Sequence, residues 1–425
     1  MVHEFAARIA LTLAATAVLS PTWAWSAPEP APQLPGAAVA KESLLKGPLH
    51  KVAEPVRVEG HLGRFTIESK FGAFNVQGAN LLATRVHELQ AIEELRKVQK
   101  DSAFTDALAK SAKGVAGFAA SAVDDPNKAV ETIGKGAGTV LGRVGQVAMV
   151  GASYAGDKAA DMATSTPAPA AAAAATGEPE PPSFIGDPLG YNKARREWAK
   201  KLNVDPYTAN PVLRPLLDSA ASATFAGNFA VSLTIGSVMA PVNYAYSFDE
   251  TVRDSVWNKP AIDVMKETEK ALAALGVQGR TIRDLQRNKW FTPTVQATLS
   301  ARLAALGRME GMESVVKAAA ATQGEARVRF LLESLAMLAA HHQKEGRFAR
   351  LRMSNLVPVG VAQDGSVVAA VAIDYGTWDD DAAAFAGRKE LAAKARTLLV
   401  AGQVSPRAKQ ELEKAGWKVS AGLRS

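Results

Sequence analysis

The sequence of 425 residues contains no cysteine. This absence excludes disulfide bonds, Cys-ligated zinc or iron–sulfur sites, thiol catalysis and lipidation of an N-terminal cysteine. Charged residues make up 21% of the chain and apolar residues 48%, so a largely disordered chain, a collagen-like repeat and a polytopic membrane protein are also excluded. The formal net charge of +7 is a mild basic excess that favours anionic partners without identifying one.

Several motifs of catalysis and cofactor binding are missing as well. The sequence has no GxGxxG or GxxxxGK phosphate loop, no HExxH zinc motif, no GxSxG nucleophile elbow and no EF-hand ligand spacing. We therefore expect no cofactor and no metal site of a familiar type, and the sequence points to a non-enzymatic protein more than to an enzyme.

The N-terminus resembles a signal peptide. Residues 9–20 form an apolar run behind Arg8, and Ala24 and Ser26 are small residues at the −3 and −1 positions of a cleavage site before Ala27. A run of about a dozen apolar residues is too short to span a bilayer stably. We expect residues 1–26 to be removed on export, most simply to the periplasm, and export argues against a nucleic acid as partner.

Composition and periodicity divide the rest of the chain. Phe65 and Ile67, then Phe74 and Val76, alternate with polar residues as in short strands. The pattern predicts a mainly α protein of several domains, with a short N-terminal β-hairpin, a Pro/Ala-rich linker and a small α/β C-terminal unit. The predicted segments are a disordered leader over 27–55, the hairpin and helices with a glycine-rich end over 56–163, the linker over 164–188, a helical domain over 189–350, and the α/β unit over 351–425.

Residues 65–95, 190–213 and 398–419 together resemble a family of exported proteins of Gram-negative bacteria that has no assigned activity. The resemblance spans most of the mature chain. It implies the same order of domains and carries no catalytic motif, so it assigns no role to any residue.

Three segments are candidates for contact with a membrane or a partner. The predicted helix after the linker carries five basic residues within nine positions, which could bind anionic lipid head groups; on a globular domain the same pattern is a solvated helix face. The glycine-rich run over 134–156 is either an amphipathic surface segment or a tightly packed helix. Residues 219–248 lack charge, yet their many hydroxyl groups favour a buried helix over a membrane span. The five basic residues are Lys193, Arg195, Arg196, Lys200 and Lys201.

Asp374 and Asp380 are the weak catalytic candidates. Asp374 ends a predicted strand, which is where α/β proteins place catalytic carboxylates, and Asp380 belongs to an acidic cluster that precedes a predicted helix. Because acidic residues at a helix N-terminus also complement the helix dipole, capping is the simpler role for the cluster.

Three functions follow as hypotheses. The leading one is an exported periplasmic or envelope-associated protein that binds an envelope protein or an anionic membrane surface. The alternatives are a metal-dependent hydrolase that uses carboxylates of the C-terminal unit, and a membrane-active secreted effector.

Overall fold

A computed structural model describes residues 28–107, 191–227 and 250–424. Within these residues thirteen strands form three sheets beside a large set of α-helices. The fold is therefore mixed α/β. The prediction of a mainly α protein with one short N-terminal hairpin is wrong, because both ends of the described chain build a sheet of five or more strands.

The N-terminal sheet has six antiparallel strands in the order β1-β4-β5-β3-β2, with β6 also paired to β5. The predicted hairpin is confirmed as β5–β6, in which Phe65 lies opposite Val76 and Ile67 opposite Phe74. These four side chains point into the core. The strands are β1 Gln33–Leu34, β2 Lys46–Gly47, β3 His50–Val52, β4 Val56–Glu59, β5 Leu62–Ser69 and β6 Gly72–Gln77, and the short helix α1 is Glu42–Leu45.

The prediction of a disordered leader over residues 27–55 is wrong from residue 33 onwards. Val39, Leu44, Leu45 and Val52 are buried in the same core as the hairpin. The strands in this segment are two or three residues long, which is too short for a period of two to show in a Pro- and Ala-rich sequence.

The long helix α2, Ala79–Val98, packs on this sheet through Leu82, Leu89, Ile92 and Leu95. The first helices beyond residue 190 complete the same core, in which Trp198 is fully buried. They are α3 Tyr191–Lys201, α4 Leu213–Gly227 and α5 Glu250–Asn258.

A second core holds the remaining helices of the predicted helical domain. The Thr292-Pro293 pair predicts a cap and the first turn of a helix, and Gly307 predicts its end. Both are confirmed: the Thr292 hydroxyl accepts from the N–H of Val295, and Pro293 opens a helix that ends at Leu306 and is followed by Gly307. The helices are α6 Ala261–Ala274, α7 Gly279–Arg287, α8 Pro293–Leu306, α9 Met312–Ala321 and α10 Glu325–Lys344.

The C-terminal sheet has the order β13-β11-β9-β8-β7. Strands β9, β11 and β13 are parallel, and β7, β8 and β9 are antiparallel. The alternation over 355–374 predicts a hairpin with an Asp364-Gly365 turn, and the pattern beyond it predicts a parallel strand–helix–strand crossover and an N-cap at Ser405. All of these are confirmed. The elements are β7 Phe348–Ser354, β8 Val357–Ala362, β9 Val367–Val371, β10 Tyr375–Gly376, α11 Asp380–Ala386, β11 Arg396–Val400, β12 Gln403–Val404, α12 Pro406–Lys414 and β13 Trp417–Ser420.

Two details of this unit differ from the sequence-based prediction. Strand β7 was not predicted, because a register shift between Phe348 and Arg350 destroys its alternation. The sequence predicts a helix over about 381–396, whereas the observed helix ends at Ala386 and is followed by a short 3₁₀ turn at Lys389–Leu391.

The two ends of the chain are tied together. The N–H groups of Asp374 and Tyr375 both donate to the carbonyl oxygen of His61 in the β4–β5 turn. Near the N-terminus, the Glu29 carboxylate accepts from the Ser405 hydroxyl at 2.7 Å and from the N–H of Trp378. The N-terminal segment and the C-terminal unit are thus in direct contact.

Several predicted segments lie outside the described residues: the signal peptide, the glycine-rich run over 134–156 and the linker over 164–188. The segment over 219–248 is described as far as residue 227, and there Ser219, Ala221 and Ala223 are fully buried in α4. In the part of the chain that the structure describes, no helix combines the length and apolar character needed to cross a bilayer.

Candidate functional site

A polar cleft of about 100 Å³ lies between α2, the loop 203–209, the start of α8 and one face of α10. We call it the α2–α10 cleft. Because α2 belongs to the first core and α10 to the second, the cleft lies where the N-terminal half of the protein meets its C-terminal half.

Helical spacing places the polar residues of the two long walls. Asn80, Thr84 and Glu88 recur at intervals of four on α2. Glu325, Arg329 and Glu333 recur at the same interval on α10. Residues four apart lie on one face of a helix, so each helix turns a polar stripe to the cleft while its apolar residues enter the cores.

Ion pairs and hydrogen bonds join the two stripes. Arg85, 4% exposed, contacts Glu88 at 2.9 Å and also binds Glu325. Arg329 donates to Glu325 at 2.9 Å and to the amide oxygen of Asn80 at 3.3 Å. The Asn80 amide in turn donates to Glu333 at 3.2 Å.

The loop 203–209 attaches to the same network. Glu88 accepts a short hydrogen bond from the Thr208 hydroxyl and a second from the Asn210 amide at 2.8 Å. The oxygen of the Asn210 amide accepts from the N–H of Val212 at the start of α4. The loop is therefore held between a buried carboxylate and a helix cap.

Two buried groups of the network, Glu325 and Arg85, stabilise each other's charge. Burial by itself would raise the pKa of Glu325, but the guanidinium groups of Arg85 and Arg329 outweigh it and lower that pKa. Burial by itself would lower the pKa of Arg85, but the carboxylates of Glu325 and Glu88 outweigh this effect and raise that pKa. The ion pair of Arg85 with Glu325 thus stabilises the charged form of both groups.

Asp205 has a different environment. Burial raises its pKa to about 6, although the N–H of Tyr207 and the Thr294 hydroxyl stabilise the anion from 2.9 and 2.7 Å. Glu88 adds repulsion in the same direction as burial. Asp205 is therefore the cleft carboxylate whose protonation changes just below neutral pH.

This shift predicts a pH-dependent effect of Asp205→Asn. Since the folded pKa exceeds the ordinary 3.8, the group favours folding below about pH 4 and loses that contribution as pH rises through about 6. The asparagine does not titrate and retains an acceptor oxygen for Thr294. We expect the free energy of unfolding of the wild type, relative to the variant, to fall by about 3 kcal/mol between about pH 4 and about pH 7. Urea unfolding of both proteins across this range measures it; a constant difference would contradict the assignment.

Glu333, the last residue of the polar stripe on α10, belongs to a junction that joins three parts of the chain. Glu333, 3% exposed, accepts from Arg424 at 2.8 Å, and Arg424 also pairs with Asp374. The Asp374 carboxylate accepts from the N–H of Gly63 at 2.8 Å and from the N–H of Ala79 at 3.0 Å, the first residue of α2. Asp374 thus caps a helix that lies 295 residues away in sequence.

The two catalytic candidates do not form a site. Asp374 is 0% exposed, and its oxygens are occupied by Arg424 and two backbone N–H groups, so it cannot reach a substrate. Burial raises its pKa against the opposing effect of Arg424. Asp380 is exposed in the first turn of α11, where its neighbour Asp379 caps the helix through the N–H of Ala382. The capping role of the acidic cluster is confirmed.

The basic helix presents fewer charges than its sequence suggests. Arg195 and Arg196 are 6% and 5% exposed, and Arg195 pairs with Asp218 at 3.2 Å. Both arginines lie on the same buried side of α3 as Trp198. Lys193, Lys200 and Lys201 remain exposed, together with Glu197.

The residues that form the cleft were missed because they resemble an exposed helix face. Arg85 and Glu88 lie off the apolar stripe of α2, which is where solvent-exposed charges normally lie. The available signal was complementarity: an Asn-Thr-Glu series and a Glu-Arg-Glu series, each with a spacing of four. In the described residues, no group of three or more histidine, aspartate or glutamate side chains is placed to hold a metal ion.

Comparison of the chain with protein-family models, with curated proteins and with solved structures gives no match. The resemblance to a family of exported proteins therefore stays a prediction.

Proposed function

We propose that the protein is an exported, non-enzymatic binding protein that holds a small polar ligand in the α2–α10 cleft. The observation that carries the proposal is the cleft wall: paired charges on two helices that come from different halves of the molecule. Export is the part of the proposal that rests on the N-terminal apolar run and its cleavage site.

The energetics of the wall favour a binding role. Replacing buried ion pairs by well-packed apolar residues is often neutral or stabilising, so stability does not require a charged wall here. Such a wall suits a ligand, since hydrogen-bonding groups that are already held by their neighbours lose little conformational freedom on binding. Arg85, Glu325 and Arg329 are held in this way.

The volume of the cleft limits the size of the ligand. The cleft volume of about 100 Å³ is below the roughly 300–1,000 Å³ of sites for drug-sized compounds. We infer a compound of a few heavy atoms, or one end of a larger molecule. An anionic membrane surface is supported less well, because burial of Arg195 and Arg196 leaves three exposed lysines on α3.

Ala336→Leu tests the proposal. Ala336 lines the cleft from α10, so a larger side chain fills part of the space. We expect it to weaken ligand binding at least about tenfold, which is about 1.4 kcal/mol. The readout is calorimetric titration with a panel of small amino acids, organic acids, amines, polyols and sugars.

Ala340→Leu is the matched control, because Ala340 lies one turn further along the same helix and is exposed. It should bind as the wild type does. If the wild type binds no member of the panel, or if both variants bind equally well, the cleft is not the binding site.

A second candidate is hydrolysis with Asp205 as general acid, because a carboxyl with a pKa of about 6 is suited to donate a proton near neutral pH. Asp205→Asn separates the two functions. If the cleft is catalytic, the variant should still bind the ligand but no longer turn it over. If the cleft only binds, the variant should change ligand affinity alone or have no effect.

A further inference from the structure

We propose that the ligand of the α2–α10 cleft is a neutral compound carrying several hydroxyl groups, an inference that rests on the binding function proposed above. Charge balance, the hydrogen bonds of the cleft threonines and an unused indole N–H lead to it in turn.

The charges around the cleft are balanced by ion pairs within the protein. Three of the four lining carboxylates already have a guanidinium partner, and the fourth, Asp205, accepts hydrogen bonds from Tyr207 and Thr294. A charged ligand would have to compete with these partners, whereas a neutral ligand leaves them in place. The pairs are Glu88–Arg85, Glu325–Arg85 and Glu333–Arg424.

The cleft threonines offer acceptors. A hydroxyl has one O–H donor and two lone pairs, and four cleft threonines spend the O–H inside the protein. Thr84 donates to the carbonyl of Asn80, Thr298 to that of Thr294, Thr294 to Asp205, and Thr208 to Glu88. Each keeps at least one lone pair as an acceptor, although Thr208 already accepts from the N–H of Asn210, so a ligand that binds these threonines has to bring donors.

Trp290 and Arg329 offer donors to the cleft. Trp290 lines it, is 4% exposed, and its Nε1–H has no hydrogen-bond partner among the described residues. A buried donor without an acceptor is unfavourable, and a ligand oxygen would satisfy it. Arg329 has five N–H groups, of which Glu325 and Asn80 engage three.

A hydroxyl group meets both requirements, since it donates and accepts at once. A carboxylate supplies acceptors without donors, and an ammonium supplies donors without acceptors.

Three probes of nearly equal size test the inference: glycerol, glycerate and 2-amino-1,3-propanediol, which are neutral, anionic and cationic. Calorimetric titration is needed, because polyols raise melting temperatures by exclusion from the surface without binding. We expect glycerol to bind the wild type at least tenfold more tightly than either charged analogue, and Ala336→Leu, but not Ala340→Leu, to lose this binding.

If a charged analogue binds as tightly as glycerol, the hydroxyl assignment is overturned while the binding function stands. If none of the three binds, the assignment is overturned as well, and the wider panel described above decides separately whether the cleft binds anything.

Discussion

Arg424→Met is expected to lower the free energy of unfolding by about 3–5 kcal/mol. The substitution leaves Asp374 and Glu333, whose side chains are 0% and 3% exposed, without their shared cation. A carboxylate buried without a partner cannot recover the hydration it lost on folding. Urea unfolding, with the transition followed by tryptophan fluorescence, measures the change.

Arg57→Met is the matched control for this prediction. Arg57 pairs with Glu59 at 3.0 Å, but its side chain is 63% exposed, and exposed pairs contribute about 0–1 kcal/mol. A second test removes one of the two carboxylates left without a cation: in the Arg424→Met background, Glu333→Gln should restore part of the lost stability. Equal effects of Arg424→Met and Arg57→Met would show that the junction is not a stabilising element.

Arg85→Met is the second substitution with a large expected effect, again about 3–5 kcal/mol. Arg85 is 4% exposed and bridges Glu88 on its own helix to Glu325 on α10. Its loss leaves Glu88 with hydrogen bonds from Thr208 and Asn210 but with no cation. Because the wall of the cleft loses its central pair, ligand binding should weaken together with stability.

Lys97→Met controls for a change of charge on α2. Lys97 lies on the same helix and contacts Glu94 at 2.8 Å, with 59% of its side chain exposed. We expect a change within about 0.5 kcal/mol for this variant. A loss below 1 kcal/mol for Arg85→Met would contradict the picture of a buried network that joins the two halves.

Local patterns predicted the elements that depend on neighbouring residues. The Thr292 and Ser405 caps, the β5–β6 hairpin and the β8–β9 hairpin with its parallel crossover all follow from a few consecutive side chains. The sheet around residues 33–59 could not be predicted in this way, because its strands gain stability from partners distant in sequence and are themselves too short to show a period.

The candidate site depends on contacts between distant residues throughout. The sequence predicts Asp374 as the end of a strand, and the observed strand ends three residues earlier, at Val371. The role of Asp374 depends on the N–H of Ala79 and on Arg424, which only the folded chain brings to it. Arg85 is missed for the same reason. Its position off the apolar stripe of α2 indicates solvent exposure, whereas its ion pair with Glu325 places it under α10. Arg195 and Arg196 repeat the pattern on α3, where they are buried.

The measurement that tests the central claim most directly is the ¹H–¹⁵N resonance of the Trp290 indole, assigned with Trp290→Phe. The chain has seven tryptophans, so their other indole signals serve as internal controls. The account predicts that a binding compound moves the Trp290 signal saturably and leaves the signals of Trp198 and Trp417, both buried away from the cleft, unchanged. Binding without a shift of Trp290, or equal shifts of all the indole signals, would contradict a ligand site in the α2–α10 cleft.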